Sequence, residues 1–282
     1  MILVNERFIE RDKAAVDIED RGYQFGDGVY EVIRVYNGIC FLMEPHIERM
    51  ERSAANIDLA LPYSIDKISQ NLLELVKLNN IHNGSIYVQI TRGAAPRAHQ
   101  FPEQTSSVLV AYTNTAERPM EKIKNGIHTI LTDDIRWLRC DIKSLNLLGN
   151  VLAKQKAKQQ GCDEAILHRG DTVSEGSSSN VYIIKNKIIY THPVNNLILN
   201  GITRMEVLRL AKENDFEVKE EEFTVAQLLD ADEAFITSTT MEITPVVKIN
   251  ETAIGDGAPG VVTKKLQKAF EESITKNCYQ AV

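Results

Sequence analysis

The chain has 282 residues, 43% hydrophobic and 25% charged, an ordinary globular balance with material for two cores. A formal net charge of -7 and a pI near 5.5 argue against a general electrostatic grip on nucleic acid or an anionic membrane, and leave room only for a small local anion site. The start, Met1-Ile-Leu-Val-Asn-Glu-Arg7, lacks the basic and then apolar regions of a secretion signal, and no apolar run reaches membrane-spanning length, so a cytoplasmic protein with no membrane or nucleic-acid partner is expected.

Met1 to Val4 is strand-rich, and Ile9 to Ile18 reads as a further short strand or loop. Glu19 to Gly28 carries three glycines, but their spacing is wrong for a dinucleotide fingerprint and a strand follows where a helix should. That strand, Val29 to Tyr36, puts Tyr30, Val32 and Arg34 on one face and Val29, Glu31, Ile33 and Val35 on the other. Asn37-Gly38 is a strong hairpin signal, with a return strand predicted over Ile39 to Met43. Tyr30 emerges beside the glycine-rich turn, either as an ordinary sheet aromatic or as a phenol facing a cavity.

A helix is predicted from Pro45 to Ile57 on the stripe Ile47, Met50, Ala54, Ile57, with Arg49 off that stripe as a solvated charge or an anion ligand. Ser64 can cap the next helix, whose apolar face runs through Ile65, Ile68, Leu72 and Val76. After a strand over Ser85 to Arg92, the restrained loop Gly93 to Pro102 presents Arg97 and His99 two residues apart. The pair suits an organic carboxylate, and the structural alternative is an arginine bound to a neighbouring Asp or Glu. Ser107 to Thr113 completes a sheet. These elements define a small N-terminal domain over residues 1–114 and a linker over 115–121, leaving a larger C-terminal domain over 122–282.

The second half opens with a strand over Ile127 to Thr132. Lys143 follows, among the apolar residues Trp137, Leu138, Ile142 and Leu145, which could desolvate its amine and make it nucleophilic. Ser144 is placed to cap a helix from Leu145 to Gln160, with Leu145, Leu148 and Leu152 on its face and Gly161 as its stop. A strand over Glu164 to His168 leads to Arg169-Gly-Asp171, read as a turn. The polar run Thr172 to Asn180 then places Glu175 ahead of a glycine and three serines, between strands, where a ligand can satisfy its carboxylate.

A hairpin through Asn186 joins Val181 to Lys185 with Lys187 to Thr191. Asn200-Gly-Ile-Thr-Arg204 opens a helix over Thr203 to Asn214, and its start is either a phosphate cradle or a plain threonine cap. Thr224 and Gln227 form a capping box for a short helix to Asp230. A strand over Ala234 to Thr237 delivers the hydroxyl-rich turn Ser238-Thr-Thr-Met-Glu242, a strand follows over Ile243 to Ile249, and an amphipathic helix over Val261 to Ile274 closes the chain. The four cysteines are far apart and the six histidines form no His-x-x-x-His pair, which points to reduced thiols and no metal site.

A buried lysine, a polar-loop carboxylate, a helix-start phosphate cradle and hydroxyl turns in one domain match the needs of pyridoxal 5'-phosphate: an amine to bind it, an acid for its ring nitrogen and donors for its phosphate. The stretches Asp20 to Glu31, Thr91-Arg-Gly through Pro96-Arg-Ala-His-Gln100, Asp134 to Asn146, Val173 to Asn180 and Thr237-Ser-Thr-Thr240 resemble the bacterial D-amino acid aminotransferases. These are class IV, or fold-type IV, pyridoxal-phosphate enzymes, and the resemblance runs nearly end to end. It implies an α/β chain of mixed sheets, with a smaller N-terminal α/β domain and a larger C-terminal pseudo-barrel.

By the same resemblance, Lys143 is the lysine that binds the cofactor covalently and Glu175 the partner of its ring nitrogen. Arg49, Ile202, Thr203 and Thr239 serve the phosphate, Ser238 is a further cofactor contact, Leu199 lies beneath the ring, and Ser178 and Ser179 are close by. Tyr30, Arg97 and His99 hold the substrate carboxylate, the last two reaching in from the other subunit of a homodimer whose sites are completed across the interface. The implied reaction exchanges a D-amino acid such as D-alanine with a 2-oxo acid such as 2-oxoglutarate, giving pyruvate and D-glutamate and supplying D-amino acids for the cell wall. Branched-chain L-aminotransferases and aminodeoxychorismate lyase share the fold and are the alternatives. One departure is Asn150, where a small residue is expected after Leu-Leu-Gly.

Overall fold

In the computed structural model, which describes residues 1–280, the chain divides into two units. The first comprises Met1–Glu117, Ile142–Asn146 and the described residues from Asn277 on, and the second comprises Arg118–Asp141 and Leu147–Lys276. A linear division at 115–121 therefore differs in one consequential place, because the five residues around Lys143 pack with the first unit. Among the described residues no helix is long and apolar enough to cross a membrane.

The first unit is built on β1 (Ile2–Val4), β2 (Arg7–Ile9), α1 (Arg21–Phe25), β3 (Gly28–Tyr36), β4 (Ile39–Cys40), α2 (Met43–Ala55), α3 (Ile65–Leu78), β5 (Gly84–Thr91) and β6 (Val108–Thr115). Its six strands form one antiparallel sheet in the order β2-β1-β6-β5-β3-β4. The alternation in β3 has the expected outcome: Val29, Ile33 and Val35 are buried with Ile47 and Met50 of α2 and Ile68 and Leu72 of α3. Each such aliphatic side chain withdrawn from water contributes about 1.5–3 kcal/mol, which fixes the sheet's register against the helices.

Several expected boundaries shift for local reasons. Asn37 and Gly38 both take positive φ, 51° and 77°, the geometry that hairpin needs. The return strand nevertheless stops at Cys40, because Leu42 turns left-handed (φ 52°) and α2 starts at Met43 rather than Pro45. The glycine stretch holds a helical turn, α1, whose Asp20 side chain accepts from the Gly22 amide and whose end is set by Gly26 at φ 67°. Ser144 caps no helix. It bridges to Val29, its hydroxyl accepts from the Asn146 amide at 3.3 Å, and the helix begins at Leu148.

The second unit contains α4 (Met120–Asn125), β7 (Ile127–Asp133), α5 (Leu148–Gln159), β8 (Glu164–Arg169), β9 (Thr172–Gly176), β10 (Asn180–Lys185), β11 (Ile188–Thr191), α6 (Ile202–Glu213), β12 (Val218–Glu220), α7 (Val225–Leu229), β13 (Glu233–Ser238), β14 (Glu242–Ile249), β15 (Thr252–Ala253) and α8 (Val261–Cys278). Its mixed sheet runs β12-β11-β10-β13-β14-β7-β8-β9, with β15 paired to β14. The polar run thought to be a loop is β9 as far as Gly176. Only residues 177–179 separate β9, at one end of that order, from β10 near the other, so the sheet must curl back on itself.

The expected apolar face of α5 is not its buried face. Leu148 and Leu152 are exposed, and the helix instead buries Ala153 and Ala157 against Ile130, Ala165 and Leu167.

Candidate active site

On the first unit, residues 142–146 lie as a short added edge along the start of β3. The Tyr30 amide donates to the Lys143 carbonyl at 3.0 Å, and the Leu145 amide donates to the Gly28 carbonyl at 3.0 Å. Ser53 of α2 accepts from the Lys143 amide at 3.3 Å. These backbone bonds deliver the Lys143 amine to the face of Tyr30, with Nζ 4.2 Å from the ring centroid. The expected apolar shell is not what it meets: Lys143 is only half-buried, and Trp137 and Leu138 are exposed, at 41% and 61%.

Tyr30 stacks on Tyr87, centroids 5.8 Å apart, and Tyr87 stacks on Tyr112 at 5.1 Å. The phenol that faces the lysine is thus one end of an aromatic ladder across β3, β5 and β6.

Glu31, next to Tyr30 on the opposite face, is fully buried among aliphatics. Arg49 Nε and Nη2 donate to its two oxygens at 2.7 and 2.8 Å, and His46 Nδ1 lies 2.7 Å from the second oxygen. Burial alone would raise this carboxyl, but the Arg49 guanidinium and the His46 ring hold it well below the usual carboxylate range. Burial lowers His46 against the pull of Glu31, so the neutral ring donates from Nδ1. Arg49 is therefore no solvated charge.

Arg97 and His99 are both exposed on their loop and both meet the Phe25 ring. The Arg97 guanidinium lies 4.9 Å from its centroid, and the His99 ring centroid is 5.7 Å away. Arg21 ties the loop down through the carbonyls of Ala98 and His99, at 2.7 and 3.3 Å. The alternative of an ordinary ion pair is not realised: among the described residues no Asp or Glu pairs with Arg97.

On the second unit, Glu175 lies one residue before the end of β9 in a buried, nitrogen-rich setting. Its Oε1 accepts from Arg136 Nη1 at 2.6 Å. Its Oε2 accepts from Asn180 Nδ2 at 3.0 Å and from the Leu199 amide at 3.1 Å. Arg136 is shared with Asp134, to which its Nε and Nη2 donate at 2.9 and 2.8 Å. Burial is the largest influence on Glu175 and outweighs Arg136, so its carboxyl is pushed up to about 7. A carboxylate offers about four lone-pair directions, and three donors reach this one, so its acceptor set fits one further N–H, such as that of a protonated pyridine ring.

α6 starts at Ile202, one residue before the expected Thr203, and its N-cap Gly201 makes no side-chain cap bond. A Cβ on Gly201 would stand 2.2 Å from Asn180 Oδ1, so only glycine lets the helix start approach Asn180. Thr203 is buried there, and an uncapped helix start with a hydroxyl is a donor set suited to phosphate. Leu199 is half-buried, its carbonyl accepting from Asn180 at 2.8 Å. Ser238 accepts from the Met241 amide at 3.1 Å, and Thr239 is half-exposed in the same turn.

Ser178 and Ser179 donate to Glu164 at 3.0 and 3.2 Å. With that single hydrogen engaged, each hydroxyl presents lone pairs elsewhere.

Sequence reasoning missed Arg136, Asn180, the Glu31–His46–Arg49 cluster and Glu164. For Glu31 a signal existed, since a glutamate on the apolar face of a strand requires a cation. Asn180 and Glu164 carried none, because Asn180 closes a polar run and Glu164 opens a strand, positions whose polar side chains read as solvated.

The profile of the amino-transferase class IV family matches residues 28–249, and the chain belongs to that family. It is 52% identical over 281 residues to a D-alanine aminotransferase of Bacillus licheniformis, covering 100% of this chain and 99% of that one. It is 51% identical over 284 residues to a D-alanine aminotransferase of Listeria monocytogenes, covering 100% and 98%. Among solved structures it is similar to the branched-chain amino acid aminotransferase of Escherichia coli, with a TM-score of 0.92 at 27% identity over 96% and 93% of the two chains. It is also similar to a T.th. branched-chain amino acid aminotransferase with pyridoxamine 5'-phosphate, with a TM-score of 0.91 at 29% identity over 98% and 94%. The α/β fold of mixed sheets expected from the sequence is the fold of this family.

Proposed function

We propose that this aminotransferase exchanges the amino group of a D-amino acid, D-alanine among them, with a 2-oxo acid such as 2-oxoglutarate, using pyridoxal 5'-phosphate. The observation that carries the assignment is Glu175: buried, pushed up to about 7 and reached by three donors with room for a fourth. The full-length relatives named D-alanine aminotransferases support the substrate class.

When bound, pyridoxal phosphate supplies the carbonyl that receives the amino group and a ring that accepts electrons. Lys143 Nζ would hold it covalently, and its amine would serve as the base that takes a proton from the substrate's α-carbon and the acid that returns one. Glu175 would keep the ring nitrogen protonated, and Leu199 would pack against the ring. Ile202, Thr203, Thr239 and Arg49 would hold the phosphate, with Ser238 a further cofactor contact and the plane of Arg49 fixed by Glu31. Ser178 and Ser179 line the site as acceptors.

Tyr30, Arg97 and His99 bind the substrate carboxylate. Arg97 and His99 do so in the partner copy of a cytoplasmic homodimer, which the exposed apolar side chains of Ile135, Leu138, Leu148, Val151 and Leu152 support.

The decisive experiment offers D-alanine and L-leucine separately with 2-oxoglutarate and resolves the glutamate by chiral chromatography. D-glutamate from D-alanine is expected, and L-glutamate from L-leucine as the main product would replace this reading with the branched-chain one. Lys143→Ala should abolish turnover, and a wild-type rate in that variant would remove Lys143 from the chemistry.

A further inference from the structure

Glu175 and Asn180, the two side chains that build the ring-nitrogen acceptor, are joined by only four residues. The geometry of the turn 176–179 therefore sets how they meet. That turn is held from outside itself by two residues with no part in the chemistry above. Glu164, at the start of β8 and 1% exposed, accepts from the hydroxyls of Ser177, Ser178 and Ser179 and from the Ala165 amide at 2.8 Å. Lys154 of α5 pairs with it as well, with Nζ at 3.4 Å. Asn150, on the same helix, donates from Nδ2 to the Ser177 carbonyl at 2.8 Å. Inside the turn the Gly176 amide donates to the Ser179 carbonyl at 2.6 Å, and a Cβ on Gly176 would stand 2.1 Å from the Ser179 hydroxyl.

One buried carboxylate thus receives three consecutive hydroxyls of the turn. A buried charge survives only when fully hydrogen-bonded, so the serines and Glu164 fix each other. Asn150, the departure from a small residue seen in the sequence, adds a second point of attachment on the carbonyl side.

We infer that Glu164 and Asn150 are positioning residues of the cofactor site: together they clamp the serine turn and so hold Glu175 and Asn180 at the spacing that accepts the ring N–H. The inference rests on the pyridoxal-phosphate reading, and its test separates the two.

In Glu164→Gln the side chain accepts at one oxygen only and brings an amide that donates, so it cannot receive three hydroxyls. Asn150→Ala removes a single bond from a half-buried helix position and leaves the carboxylate intact, which keeps the question answerable should Glu164→Gln fold poorly. Two readouts are made. In the cofactor-free enzymes, amide hydrogen exchange over 176–180 should accelerate in both variants. In the loaded enzymes, the dissociation constant for pyridoxal phosphate should rise about tenfold for Glu164→Gln and about threefold for Asn150→Ala. kcat should fall with it, while the KM for D-alanine stays within twofold, since other residues bind the carboxylate.

Unchanged exchange in both variants, or unchanged cofactor affinity and kcat despite faster exchange, overturns the inference. A wild-type protein that binds no pyridoxal phosphate overturns the functional reading instead, and the exchange measurement still decides whether the clamp exists.

Discussion

Glu31 in the first unit and Glu175 in the second are each buried beside an arginine, and the two carboxyls are driven in opposite directions. Glu31 receives a two-bond fork from Arg49 and a third bond from His46, and it is held ionised well below the usual range. Glu175 receives one bond from an arginine whose other nitrogens serve Asp134. Asp134 also adds negative charge of its own, and Glu175 is pushed up to about 7. Burial is the largest influence on both, so the number and sharing of cationic donors decides the sign. A saturated carboxylate is a structural part, whereas one left short of positive charge has capacity for a ligand that brings it.

The contrast is broken most directly at Glu31. Glu31→Gln leaves Arg49 buried without a counter-charge, and removing one partner of a buried pair costs about 3–5 kcal/mol. Urea unfolding of the cofactor-free protein should show that loss. A change under about 1 kcal/mol, the scale of a surface pair, would mean that the pair is no more than a spectator of the core formed by Val29, Ile33 and Met50.

Glu175→Gln should behave in the reverse manner. The amide can still accept from Arg136, so stability at neutral pH should not fall. Without a carboxylate the ring nitrogen loses its ionic partner, and kcat should drop about 10²–10³-fold, the scale of removing one preorganised electrostatic contact. A variant that lost stability but retained turnover would make the two glutamates alike.

This comparison was half legible in the sequence. The alternation of Val29 to Tyr36 and the stripe of α3 emerged as drawn, because burying one face leaves little freedom of register. Glu175 stood out for its company of glycine and serines, and the motifs around Lys143 and Val173 to Asn180 carried the family. Lys143 itself was located by the wrong physics, since it meets the Tyr30 ring rather than an apolar shell. Its attachment to β3 is a contact across more than a hundred residues, invisible to local pattern. For the same reason Ser144 looked like a helix cap, and Arg136, Asn180 and Glu164 looked like nothing in particular. Their roles exist only where β8, β9 and β10 converge. The leucines of α5 misled because an outward apolar stripe and a core stripe have the same period.

The finest test of the comparison is the pH dependence of stability, where the two carboxyls have opposite signs. Glu31 is depressed, so its contribution is fully present above its unfolded value of 4.5 and disappears as pH falls below it. Between about pH 5 and 8 it is constant. Glu175 is raised from 4.5 to about 7, so across that same interval the unfolded chain releases the proton that the native protein retains. Stability must therefore fall as pH rises from about 4.5 to 7 and level off above.

His46 is also shifted, downward, and would withdraw stability as pH falls below its ordinary 6.5. A comparison of wild type with Glu175→Gln at each pH cancels it, along with Asp134, which Arg136 and Ser174 keep ionised against burial. The advantage of the glutamine variant in the cofactor-free state should then grow by about 1–3 kcal/mol from about pH 5 to 7 and stay flat to about pH 8. A flat difference throughout would mean that Arg136 alone satisfies Glu175 and that the two glutamates are equivalent after all. Adding pyridoxal phosphate should itself flatten the slope in wild type, because a protonated ring nitrogen brings the positive charge that Glu31 already has from Arg49 and Glu175 lacks.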